Sequence, residues 1–112
     1  MGHFVYDEDL IQIDLEDGEW VKIASRMSYG MQQKLIASYM RLQTQLKTLP
    51  DFDMDVETGN ITLLLLNIKE WSLKDKSGRV APINEQTIRM LDPAVATKII
   101  NVINEQNPPP KV

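Results

Sequence analysis

The stretch Ile61–Ser77, ITLLLLNIKEWSLKDKS, followed by Gly78, decides how this chain folds. Four successive leucines, Leu63–Leu66, favour a helix over a strand, although Ile61-Thr62 on its own favours a strand. The apolar residues lie nearly all round that helix, which implies burial on several sides. Behind Trp71 the chain turns polar, and Lys74–Arg79 reads as a charged turn facing water. The spacing therefore predicts a central helix over about 60–71 and an exit turn. Trp71 is expected to close the core at its end.

Working outward toward the N-terminus, LIQIDLEDGEWVKIA alternates polar and apolar positions. Ile11, Ile13 and Leu15 share one face with Val21 and Ile23, and Asp17-Gly18 supplies the positive-φ residues that a tight turn needs. We expect strands at about 10–15 and 19–24, a hairpin over 10–24. Two strands are not stable alone, so the apolar face must pack on helices. Ser28 suits an N-cap. From there Met31, Leu35, Tyr39, Leu42, Leu46 and Leu49 recur at spacings of four and three, the mark of an amphipathic helix over about 28–48. Gly30 weakens its first turn, and Pro50 stops it. At 1.5 Å per residue such a helix is about 30 Å long.

Asp51–Asn60 is acidic and reads as a connection ending at Gly59-Asn60. Pro82 and Asn84 open a short helix over about 84–91. Asp92-Pro93 is an N-cap with proline at the first helical position, opening a last helix over 93–106. Val95, Ile99, Val102 and Ile103 form its apolar face. The expected fold is α+β and mostly α, an N-terminal β-hairpin packed on a compact bundle of about four helices. Residues 10–106 form one domain, with a flexible acidic leader over 1–9 and a proline-rich tail over 107–112. A chain of 112 residues supports one modest core, burying roughly 65% of its unfolded surface.

Composition narrows the function. The formal net charge is −4 and the basic residues are scattered, whereas a nucleic-acid surface needs clustered Lys and Arg. The longest apolar run, Leu63–Leu66, is far short of the roughly 20 residues that span a bilayer. MGHFVYDEDL has neither a basic n-region nor an apolar h-region, so no signal peptide is expected. With no cysteine, disulfides, thiolate metal sites and a cysteine nucleophile are excluded.

Catalytic patterns are equally thin. His3 is the sole histidine and would need a fixed orienting partner to act as a base. Ser25, Ser28, Ser38, Ser72 and Ser77 have no other histidine with which to build a triad. Asp51, Asp53, Asp55 and Glu57 alternate like a calcium loop, but Val56 and Thr62 stand where an EF-hand requires Gly and Glu. The five glycines are too dispersed for a phosphate cradle. We expect neither enzyme, metal nor cofactor. Six methionines suit either an adaptable binding surface or an irregular core. The long helix is the expected partner-binding element, through Met31, Leu35, Tyr39, Met40, Leu42 and Leu46.

The order of features resembles a known family. It runs from a hairpin with Asp17-Gly18 to a long helix opened by Ser28, then an apolar segment ending Ile68-Lys-Glu-Trp71-Ser-Leu73. Asp75, Ser77-Gly78, Pro82, a capped helix with Leu91 and a final amphipathic helix follow. This arrangement over residues 10–106, with its Trp-x-Leu-x-Asp-x-x-Gly motif, resembles the small tail assembly chaperones of long-tailed bacteriophages and their prophage relatives. The resemblance implies a non-enzymatic protein of the bacterial host cytoplasm. Its partners would be the tape-measure protein, kept soluble by the chaperone, and the tail-tube protein, recruited with its help. Such chaperones are often made in two forms by a frameshift near the end of the gene, and Pro110-Lys111 can be encoded across a slippery heptamer. The short proline-rich tail departs from the pattern, since it carries no obvious adhesive residues. Two other readings stand beside this one: a structural tail-completion or connector subunit, which would reside in the virion, and a small regulatory protein-binding domain.

Overall fold

A computed structural model describes residues 3–6, 8–46 and 53–107, the side chains of 38–46 and 53–58 excepted. The element order is β1 (Leu10–Asp14), a 3-10 turn (Glu16–Gly18), β2 (Trp20–Ala24), α1 (Tyr29–Leu46), α2 (Asp53–Asn67), β3 (Ile68–Trp71), α3 (Glu85–Arg89) and α4 (Pro93–Gln106). The fold is α+β, a three-stranded antiparallel sheet in the order β1-β2-β3 with four helices. α2 is the hub, touching α1, α3, α4 and β3.

The hairpin forms as expected. β1 and β2 pair from Leu10↔Ala24 to Asp14↔Trp20, and Leu15 N–H closes the loop on Glu19 C=O at 2.7 Å. Asp17 (φ 62°) and Gly18 (φ 77°) both occupy the left-handed region, the conformation that Asp and Gly tolerate best. The loop is a 3-10 turn rather than a two-residue turn. Alternation places Ile13, Val21 and Ile23 in the core, with Ile11 and Leu15 packed at its margin. On the opposite face the Lys22 ammonium sits 5.0 Å from the Trp20 ring centroid.

Two expectations are corrected. The first is the helix over 60–71, which ends at Asn67 and gives way to a third strand, Ile68–Trp71, on the free edge of β2. The register runs Val21↔Trp71 and Lys22↔Glu70, then skips to Ile23↔Ile68. Lys69 is the extra residue of a β-bulge. The bulge turns Ile68 and Trp71, three positions apart, into one core. That spacing imitates a helical face. The second correction concerns Asp51–Asn60, expected to be a connection. Asp53–Asn60 is the first half of α2, and Gly59 lies buried within it. Three of the first five residues of α2 are acidic, Asp53, Asp55 and Glu57, and the helix dipole favours negative charge at that end. Pro50 and the expected end of α1 near 48 lie outside the described residues.

The remaining helix starts match their signals. Ser28 Oγ accepts the Met31 N–H at 3.2 Å. Asn84 and Thr87 form a reciprocal capping box on α3, which ends at Arg89, two residues before the expected Leu91. Asp92 caps α4 by accepting the Ala94 N–H at 2.8 Å, with Pro93 next. Ile99 and Ile103 of α4 are wholly buried. Asn107 belongs to the domain rather than to the tail. Its Oδ1 accepts the Met27 N–H at 2.7 Å, and its Nδ2 donates to Ile103 C=O at 2.8 Å. One side chain thus ties the end of α4 to the segment between β2 and α1; residues 108–112 lie outside the described set.

Candidate protein-binding surfaces

The expected partner-binding residues all lie on α1. Leu35 packs against the core and Met31 is half-buried. Tyr39, Met40, Leu42 and Leu46 lie on α1 with side chains outside the described set. At about 100° per residue, Met31 and Leu35 lie on one side of α1. Tyr29 and Ile36, 78% and 48% exposed, stand on the other side. Among the described side chains of α1 these two are the large apolar ones that face solvent, and neither was among the expected partner-binding residues. The signal was present at i and i+7, overshadowed by the denser apolar spacing that begins at Met31.

A second surface lies across the molecule, where β3 runs into the hairpin of residues 73–81. Ala81 N–H donates to Leu73 C=O at 2.8 Å, and Asp75 N–H to Arg79 C=O at 2.8 Å. The turn is organised by one carboxylate oxygen. Asp75 Oδ1 accepts the Ser77 N–H at 2.9 Å and the Ser77 hydroxyl at 2.6 Å. Gly78, at φ 84°, completes it. The Ser77 hydroxyl, above all, holds the Asp75 carboxyl below its ordinary pKa against the opposing effect of desolvation, and the backbone N–H groups of Ser77, Arg79 and Gly78 lower it further. Trp71, only 3% exposed, donates its indole N–H to Ala81 C=O at 2.8 Å. The strand and the returning arm of the hairpin are thereby locked together.

Between this hairpin and the α3–α4 junction lies an apolar groove of about 320 Å³, with Leu73, Leu91 and Val95 on its walls and Met90, 73% exposed, at its lip. It shares Leu73, Asp92 and Val95 with a second hollow of about 400 Å³ that reaches the β1–β2 loop. Sequence reasoning missed this groove, because its walls come from segments far apart in the chain.

Three of the five serines, Ser28, Ser72 and Ser77, serve the structure. Ser72 Oγ donates to Glu19 Oε2 at 2.5 Å and accepts the Trp20 N–H at 2.9 Å, extending the sheet beyond β3. Ser28 and Ser77 cap and turn the chain as above; the side chain of Ser38 is outside the described set. His3 is exposed. Among the described residues no three His, Asp or Glu side chains are grouped to hold a metal, and no described helix is long and apolar enough to cross a membrane. Set against protein-family models, curated proteins and solved structures, the chain matches none.

Proposed function

We propose that this chain is a non-catalytic protein-binding domain that serves as a tail assembly chaperone in the bacterial cytoplasm. It would cover exposed apolar positions of the helical tape-measure protein until tail-tube subunits enclose them. The phage assignment rests on the sequence resemblance over residues 10–106. The observation that carries the binding role is on α1, where Tyr29 and Ile36 present large apolar side chains to solvent while Leu35 packs against the core. Such an unpartnered helix face suits packing against another amphipathic helix, and the net negative charge of the chain favours solubility of the complex.

Co-expression with the tape-measure protein encoded nearby tests the proposal. The tape measure is expected to stay soluble and to co-elute with this chain, and Tyr29→Lys/Ile36→Lys is expected to abolish both effects. An insoluble tape measure with no complex overturns the reading. Presence of this chain in fixed number in purified particles would instead make it a structural subunit of the virion.

A further inference from the structure

We propose that the groove between the 73–81 hairpin and α4 is a second docking site, distinct from α1, that takes a basic amphipathic helix of a partner protein. Its walls are apolar, through Leu73, Leu91 and Val95, and Met90 at the lip is a flexible, polarisable side chain suited to adapting to an incoming surface. The rim has a strong sign. Asp75 and Asp92 border one hollow, and Glu16, Asp17 and Glu19 border the other. Against these five carboxylates stand two lysines, Lys74 and Lys98. The Lys98 ammonium donates to the neutral Asp14 C=O at 2.7 Å and keeps its charge, so the carboxylates outnumber the lysines by three. Asp75, held below its ordinary pKa, stays ionised. An apolar floor inside an acidic rim is complementary to apolar side chains flanked by Lys or Arg.

The backbone around the groove selects a helix over a strand. The hairpin wall is a short ladder, closed by the Leu73–Ala81 and Asp75–Arg79 bonds around a single bridge pair, Lys74 and Val80. The α4 wall begins with a capped and proline-blocked first turn. An extended peptide would find at most one outward-facing residue per arm to pair with, so most of its own N–H and C=O groups would lie unpaired against an apolar floor. A helix satisfies those groups internally and presents side chains at i, i+3, i+4 and i+7.

The test is fluorescence anisotropy of the full chain with three labelled synthetic peptides: an amphipathic helix with leucines at i, i+3, i+4 and i+7 and lysines elsewhere, the same peptide with glutamates for lysines, and a scrambled basic peptide. The basic amphipathic peptide is expected to bind, the other two about tenfold more weakly or not at all, and its affinity to fall as salt rises. A triple variant, Glu16→Gln/Asp17→Asn/Asp92→Asn, removes three rim charges while asparagine still caps α4 and tolerates the left-handed conformation at position 17. It is expected to melt as wild type does and to bind about tenfold more weakly. Met90→Lys is expected to weaken binding as well, and Tyr29→Lys/Ile36→Lys to leave it unchanged.

Equal binding of the acidic peptide, or full affinity in the folded triple variant, overturns the proposal. So does a light-scattering result in which Met90→Lys converts a dimer into a monomer, which would make a second copy of this chain the occupant. Failure here with a soluble tape-measure complex leaves the α1 reading standing. Peptide binding at the groove with an insoluble tape measure does the reverse.

Discussion

Removing the side chain of Asn107 tests how the last helix is tied to the rest of the domain. In Asn107→Ala, the Met27 N–H loses its 2.7 Å acceptor and Ile103 C=O loses its 2.8 Å side-chain donor. A hydrogen bond of this kind contributes about 1 kcal/mol net, and leaving a part-buried donor unpaired adds to the loss. Ile103 C=O keeps the Asn107 N–H at 3.0 Å, so its share is the smaller one. The expected cost is about 2 kcal/mol, which for a domain of this size lowers Tm by about 8 °C. Asn107→Asp separates the two bonds. It keeps an acceptor for Met27 and gives up the donor, and its charge is disfavoured at a helix C-terminus by about 0.3–1 kcal/mol. Thermal melts followed by circular dichroism, with urea titrations to confirm an unchanged m-value, should order stability as wild type, then Asp, then Ala. An alanine variant within about 0.5 kcal/mol of wild type, the scatter of ordinary surface substitutions, refutes the tie. An aspartate variant less stable than alanine shows that the Met27 bond is not what holds it.

Three further outcomes are expected. Asn67 is fully buried, its Nδ2 donating to Leu63 C=O at 2.9 Å while Oδ1 finds no partner; Asn67→Leu should raise stability by about 1 kcal/mol in urea titrations by removing that orphan acceptor, and a loss of similar size would contradict it. Ile99→Ala opens a cavity at a position with no exposed surface and should cost about 2–5 kcal/mol, a large share of the about 5–15 kcal/mol typical of native domains; a cost under about 1 kcal/mol would mean that α4 is not anchored there. Because folding lowers the Asp75 pKa, its carboxylate contributes stability above the unfolded value, near pH ~3.9, and that contribution is lost as pH falls through the lower folded value. The Ser77 amide should therefore keep its hydrogen-bonded NMR shift to below the usual aspartate range, and a midpoint at or above that range would refute the turn geometry.

Local chemistry was legible wherever one residue type decides one conformation. Asp17-Gly18, Ser28, Asn84 and Asp92-Pro93 each do so, and each stands where its signal placed it. β3 was not legible, because the bulge at Lys69 puts its two core residues, Ile68 and Trp71, three apart and erases the period of two. The start of α2 was hidden for a different reason: Asp53–Asn60 has turn-forming composition, and helix there is favoured by its place against α1 and the dipole rather than by propensity. On α1 the strongest stripe was read as a surface; of its described side chains Leu35 packs against the core and Met31 is half-buried, while Tyr29 and Ile36, outside that stripe, are exposed. The groove could not be read at all, since Leu15, Leu73 and Val95 meet only after the sheet and α4 have packed.

The tie from Asn107 to Met27 spans 80 positions of chain, and the fully buried Ile99 and Ile103 reach the core from the same last helix. On a ribosome adding about 5–20 residues per second, the hairpin is made some 4–16 seconds before the residue that fastens it. Through that interval Ile13, Val21 and Ile23 lack part of their cover. A nascent chain halted before residue 99 would carry a sticky, unfinished sheet, so any rare codon or pause late in the message exposes this domain to capture by the cell's holdases and proteases.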